Sequence, residues 1–410
     1  VVDALQQALS KRVMDRLHLL TKLIVKRIEM SRNRWLSYGV LLIAVLSSGR
    51  GVVHAQSKQD DARLRLNQIQ VIGTHNSYHA GIAPSEAKVW QAKFAQAYEG
   101  LDYQHQPLTE QLDSGVRQIE LDVFADAKGG RYAHPSGPMT TAAAHLPADP
   151  DFDPQGLMSR PGFKVMHVQD IDYRSTCQPL IACLEEVRRW SRAHPKHIPM
   201  FILIETKQGT PAKLKLTETE PFTSAAFDAL DAEIRSVFPS DEMITPDDVR
   251  GRYDTLNEAV LAGNWPTLES ARGKVIFLMD QRPMGPVYLS GHASLRGRVL
   301  FTNAEPGEPD AAFIERNDGP AEDISRLVQE GYLVRTRTDA DTKEARTNDT
   351  ARRDAMLASG AQLLSTDYPV NEPARWAGHF VVTLPGGVAG RCNPIHAPAQ
   401  CDTAALNEEQ

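Results

Sequence analysis

The sequence predicts a single α/β domain folded as a (β/α)8 TIM barrel, complete or distorted, and three observations carry that expectation. Short β-rich runs alternate with amphipathic helical segments, the pattern of a parallel sheet covered by its own crossover helices. Several runs contain few polar residues, as strands buried on both faces require. The polar residues gather instead where the runs end, and the carboxyl ends of barrel strands are where this architecture holds its chemistry.

The elements follow in order. Ile69–Thr74 is the first run and ends in His75 and Asn76; no G-x-G-x-x-G follows it, which argues against an open doubly wound sheet. Gln118–Val123 carries Glu120 and Asp122, two positions apart and therefore on one face of a strand. Phe163–His167 is the third run, Met200–Thr206 the fourth with Glu205 near its end, and Lys274–Asp280 the fifth. Val299–Asn303, Leu333–Arg337 and Gln362–Thr366, the last followed by Asp367, complete eight. Helices are expected over Pro107–Gly115, Pro179–Ala193, Phe222–Phe238, Ala321–Gly331 and Thr347–Gly360, with Gly115, Gly331 and Gly360 where C-terminal caps belong. Three long connections, 125–162, 207–221 and 245–272, suit loops over a reactive face.

Charge is unevenly spread. Residues 1–55 hold nine Lys/Arg against three Asp/Glu, leaving 36 against 49 for the remainder. An acidic body argues against nucleic acid as the partner, because phosphate binding needs a basic footprint. Residues 30–55 read as a secretory signal: Arg32 and Arg34 precede an uncharged apolar stretch, Trp35 through Ser48, and Val53-His54-Ala55 offers a cleavage site. An uncleaved anchor is the rival reading. Residues 1–29 are expected to be an upstream extension, with an unusually long basic region as the alternative. The expected location is secreted or periplasmic after cleavage near Ala55. The barrel is expected over 66–376, and 377–410 as a Pro- and Gly-rich tail. In an exported chain, four cysteines in two close pairs favour Cys177–Cys183 and Cys392–Cys401 out of three possible pairings. Zinc is the rival, but no C-x-x-C spacing supports it.

Glu120 and Asp122 lie among Ile119, Leu121 and Val123, so they read as buried, and buried carboxylates need a metal, an Arg or a proton. With Glu205 they form an oxygen-rich set that favours Ca2+ or Mg2+ over zinc or iron. His75 and His167 are then free for in-line attack at phosphorus, one removing a proton and the other supplying one. His134 is the alternative second histidine; the strand end is the more rigid mount. Lys207, Arg335 and Arg337 are candidates for holding anionic oxygens.

Gly73-Thr74-His75-Asn76-Ser77-Tyr78, Asp113 through Val123, Val165-Met166-His167 and Ile204-Glu205-Thr206-Lys207 resemble the catalytic barrel of phosphoinositide-specific phospholipase C, most closely its secreted bacterial calcium-dependent branch. The likeness continues through Cys177–Cys183, His194 to Pro199, and Thr336 to Asp341 before Leu364 to Tyr368, so it spans roughly residues 66–370. It implies His75 as general base, His167 as general acid, and Asn76, Glu120, Asp122 and Glu205 as calcium ligands. It also implies attack by an inositol hydroxyl, releasing diacylglycerol and an inositol cyclic phosphate. Val168 follows His167 where many members have glycine. The expected partners are the phospholipid substrate and a transient membrane surface, with a monomeric chain. Glycerophosphodiester phosphodiesterases resemble this barrel too, but their first histidine is typically followed by Arg-Gly, not Asn76-Ser77. Phospholipase D-type barrels share the Glu-x-Asp pair, and a non-catalytic barrel binding anionic head groups is the rival from a different class.

Overall fold

The computed structural model describes residues 61–209, 215–406 and 408, so the expected signal, 30–55, and extension, 1–29, lie outside the described residues. Eleven strands make one mostly parallel sheet. They are β1 (Ile69–Thr74), β2 (Gln118–Phe124), β3 (Lys164–Val165), β4 (Met200–Thr206), β5 (Met243–Ile244), β6 (Val275–Met279), β7 (Leu300–Phe301), β8 (Phe313–Glu315), β9 (Leu333–Arg337), β10 (Leu363–Thr366) and β11 (Gly390–Cys392). The sheet runs β5-β6-β4-β2-β1-β10-β9-β8, so first and last parallel strands are neighbours and the sheet curls. β5 and β7 share one edge of β6, β5 pairing at Val275 and Ile276, β7 at Phe277 and Leu278. The two ends of the curl meet at a single parallel bridge, Asn303 to Phe313. The α/β barrel-like fold stands, with a weak seam.

One expected stave is not in the wall. Of Phe163–His167 only Lys164–Val165 is strand, and it runs antiparallel to the end of β2, Val123 opposite Val165. A parallel return needs an outside crossover of a dozen or more residues, usually a helix. The 125–162 connection holds one seven-residue helix, Gly137–Ala143, and the chain turns back on β2 instead. Two strands of the path were not expected, β5 with two residues and β8 with three, both too short for a pattern to register.

Helices occupy Leu108–Asp113, Leu180–Ala193, Ser224–Val237, Ala321–Glu330 and Ala351–Ala358. Leu180–Ala193 buries Leu180, Cys183, Leu184, Val187, Trp190 and Ser191, a helical stripe facing the sheet. Gly331 ends Ala321–Glu330 at φ +103°, a conformation glycine adopts freely. Pro84–Gly100 was not legible as a helix because its buried residues stop at Val89, leaving no apolar stripe over its second half. Both expected disulfides form and leave no free cysteine for zinc among the described residues. The tail is not separate from the barrel: β11 pairs antiparallel with β1 over Ile69–Val71, and Glu408 pairs with Arg117.

His197 sits under this barrel, fully buried. Its Nδ1 donates to the Ile198 carbonyl (2.6 Å) and its Nε2 accepts from Ser191 Oγ (2.7 Å), so the neutral ring is the one that fits. Burial pushes its pKa down to about 4. The unfolded chain therefore binds the extra proton first, and stability is lost as pH falls from about 6.5 towards 4. On the order of 3 kcal/mol is at stake. Urea titrations at pH 7 and pH 4.5 should show a smaller acid loss in His197→Asn than in the wild type; equal losses would remove His197 as a cause.

Candidate active site

Strand register builds the site. Gly73 faces Gln118 on β2, and a Cβ at Gly73 would lie 2.1 Å from Gln118 Oε1, so only glycine lets the two strands approach here. Asp122 lies beside Glu205 in the β2–β4 ladder, and Asp280 follows directly on β6. Glu315 on β8 lies beside Arg335 on β9, and Ser365 on β10 beside Arg337. Alternate residues of parallel staves thus bring carboxylates and guanidiniums to one end of the interior.

The acidic group is tight. Carboxylate oxygens of Glu120, Glu205 and Asp280 lie within 4.8 Å of one another. Asp280 joins this trio although it was read from sequence only as a polar strand end. Asp122 sits outside it, with Lys207 Nζ at 3.0 Å from Oδ2; Lys207 also reaches Glu205 Oε1 at 2.9 Å. Burial pushes Glu120 up to about 7 against the pull of Arg335. Burial and Glu205 raise Asp122 well above the carboxylate range, and burial with Glu315, Glu205 and Glu120 does the same to Asp280. Glu205 is pushed up by burial, but Lys207 outweighs that and holds it low. Asp122 Oδ1 and Glu315 Oε2 are buried without a hydrogen-bond partner, and Asp122 Oδ2 has the Lys207 ion pair. A donor set of crowded, under-partnered carboxylate oxygens fits a hard divalent cation.

Both histidines stabilise the charge of Glu205. Each ring is held at Nδ1 by a buried carboxylate. His75 Nδ1 donates to Asp367 Oδ1 (2.7 Å) and His167 Nδ1 donates to Asp172 Oδ2 (2.9 Å). Nε2 of His75 accepts from Arg337 Nη1 (3.4 Å) and lies 3.8 Å from Glu120 Oε1, while Nε2 of His167 has no partner among the described residues. The two rings are 17% and 21% exposed, enough to meet a ligand. Burial, then Arg337, Arg335 and His167, holds the His75 pKa well below its ordinary value. His167, Glu205, Lys207 and Gln281 line a cavity of about 440 Å³. His134 is exposed and lines a different cavity with Pro138, Met139 and Phe152.

Asn76 takes φ +47°, which asparagine tolerates, and turns the chain after β1. Ser77 N then donates to the Glu120 carbonyl (3.0 Å), tying this loop to β2. Asn76 Nδ2 donates to Tyr103 Oη (2.8 Å), while its Oδ1 has only a long 3.5 Å contact from Tyr78. Arg337 is partly open and lies 3.3 Å from Asp367 Oδ2. Arg335 is different. It is fully buried, donating to Glu120 Oε2 (2.5 Å), Glu315, Asn317 and Ser365, so it spans the barrel and does not face the cavity where a phosphate would sit. Sequence reasoning missed the two orienting aspartates; Asp172 lies five residues after His167 and Asp367 ends the last stave, signals too common to single out.

The mouth of this α/β barrel-like enzyme fold holds two carboxylate-fixed imidazoles and a buried acidic cluster. The chain belongs to the Ca2+-dependent phosphoinositide phospholipase C family, whose model matches residues 64–394. Among solved structures, it is similar to the calcium-dependent phosphoinositol-specific phospholipase C of Pseudomonas sp., at 16% identity and TM-score 0.48, covering 82% of this chain and 97% of that one. It is also similar to the Ca2+-dependent enzyme of Streptomyces antibioticus (21%, TM-score 0.46, covering 74% and 95%). The Listeria monocytogenes phosphatidylinositol-specific enzyme is a further likeness (14%, TM-score 0.42, 75% and 91%). No curated protein sequence matches the chain.

Proposed function

We propose that the protein cleaves phosphatidylinositol-type phospholipid at its phosphodiester, giving diacylglycerol and an inositol (cyclic) phosphate. The observation that carries this reading is the pair of imidazoles, each fixed at Nδ1 by a buried carboxylate and both stabilising the charge of Glu205. His75, kept neutral by its surroundings, takes the proton of the attacking inositol hydroxyl at Nε2. His167 delivers a proton from Nε2 to the departing glycerol oxygen. In a second step the roles reverse, and water opens the cyclic ester. Glu120, Asp122, Glu205 and the Asn76 amide oxygen are the ligands we assign to Ca2+, ahead of Mg2+, with Asp280 added by its place in the acidic trio. When bound, the cation supplies Lewis acidity that neutralises charge on the phosphate. Arg337 and Lys207 hold its anionic oxygens; Arg335 holds Glu120 in place.

The same reading makes the enzyme an exported monomer that touches an anionic membrane surface transiently. The two disulfides support export. Phe94 (46% exposed) and Met139 (69% exposed) support surface contact, since they project from packed helices beside the Asp170–Ile171 turn. Incubation with phosphatidylinositol vesicles should release diacylglycerol with Ca2+ and none with chelator, and Phe94→Ser should lower vesicle binding. Cleavage of glycerophosphoinositol alone would favour a glycerophosphodiesterase, phosphatidic acid as product a phospholipase D-type enzyme, and binding without turnover a non-catalytic barrel.

A further inference from the structure

We propose that His79 is a positioning residue for His167, acting through Asp172, which the two imidazoles share; this rests on the acid role given to His167. His79 and Asp172 have fully buried side chains. His79 Nε2 lies 2.8 Å from both Asp172 oxygens, while Oδ2 also accepts from His167 Nδ1 at 2.9 Å. A carboxylate only accepts, so both rings donate, and His79 is an N–H donor at Nε2. Its Nδ1 has no hydrogen-bond partner, so the neutral ring with one proton, at Nε2, is the form the pocket accommodates.

His79 is itself held firmly. Its ring packs on Tyr103 with centroids 4.5 Å apart and meets His167 edge-on at 6.2 Å. Its backbone N–H donates to the Asn76 carbonyl (2.8 Å) and its carbonyl accepts from His105 N (2.8 Å). The loop that carries His75 therefore also sets the second imidazole, four residues later.

A shared carboxylate fixes geometry. A second donor holds the plane of Asp172, and so the direction in which His167 presents Nε2. Without His79, Asp172 could turn, and His167 would be aimed less well.

The test compares His79→Phe and His79→Gln in the full chain, since a glutamine Nε2 reaches where the imidazole Nε2 was. On phosphatidylinositol vesicles with saturating Ca2+, His79→Phe should lose roughly 10- to 100-fold in kcat with KM little changed. The loss should be smaller on a nitrophenyl inositol phosphate, whose leaving group needs little protonation, and His79→Gln should recover most of it. NMR reports independently of turnover: the His167 Nδ1–H, sheltered by its bond to Asp172, should exchange with solvent faster in His79→Phe and slow again in His79→Gln. Equal losses on both substrates, or an unchanged exchange rate, would reduce His79 to packing. Should His79→Phe not fold, His79→Asn, too short to reach Asp172, takes its place. If the wild type cleaves neither ester, the phospholipase reading fails, and the Nδ1–H exchange alone decides for or against the shared carboxylate.

Discussion

His75→Ala and His167→Ala are each expected to lower turnover of phosphatidylinositol by about 10²- to 10⁴-fold, the range a positioned acid or base contributes. The fold should survive, because both rings are partly exposed and neither fills the apolar core. His134→Ala should remain close to wild type, since that exposed ring lines another cavity. A dead His134→Ala beside an active His167→Ala would overturn the assignment of the second histidine. Asp367→Asn should reproduce part of the His75 loss, because an amide can donate to Nδ1 and stabilise the wrong tautomer. The pH profile carries a sign. Burial and the two arginines depress the His75 pKa, so the base is unprotonated well below pH 6.5 and the acid limb of kcat/KM should lie under that value. An acid limb above pH 7 would place another group in that role.

The second large effect concerns the cation. Glu120→Gln and Glu205→Gln should each raise the Ca2+ concentration needed for half-maximal activity by at least about tenfold, by analogy with other disrupted metal spheres. An unchanged requirement would remove that residue from the site. Calorimetry without substrate gives a separate reading: Ca2+ at about a hundred times its Kd should stabilise the native state by about 2.7 kcal/mol. The increment should grow with pH. Glu120 has its folded pKa raised to about 7, so its favourable contribution is complete below the unfolded value near 4.5 and fades as pH rises through 7. Asp122 and Asp280, also raised, act in the same direction. Deprotonated, the apo cluster repels itself, and the cation relieves that repulsion. A Ca2+ increment in Tm that is flat from pH 5.5 to 8 would contradict this. Comparing with and without Ca2+ at each pH also cancels the opposite slope of His197.

Much of the barrel was legible because its signals are local. A β-rich run of five to seven residues identifies β1, β4 and β9, with bounds that match the expected ones. Phe163–His167 has the same local signature, yet only what lies across from it makes it an antiparallel flap on β2. Its misplacement left His167 at the mouth all the same, because a chain that turns back at the end of β2 still arrives there. β8 failed the other way: three residues are enough to be a stave once β9 lies alongside, but too few to show a period.

The sequence by itself determined which residue types reach the reactive end, since alternation along a strand puts Glu120 and Asp122 on one face whatever lies opposite. It also determined the disulfide pairs, because close spacing restricts which sulfurs can meet. Only the tertiary structure decided how those groups are shared out. Arg335 was free to be an anion holder until β2 and β8 placed Glu120 and Glu315 within its reach. Asp280 entered the acidic trio, Asp367 took His75, and Asp172 took His79 and His167, through contacts spanning up to 292 positions of chain. Hydrogen bonds and charge pairs act over a few ångströms in space, and separation along the chain says little about which groups will come that close.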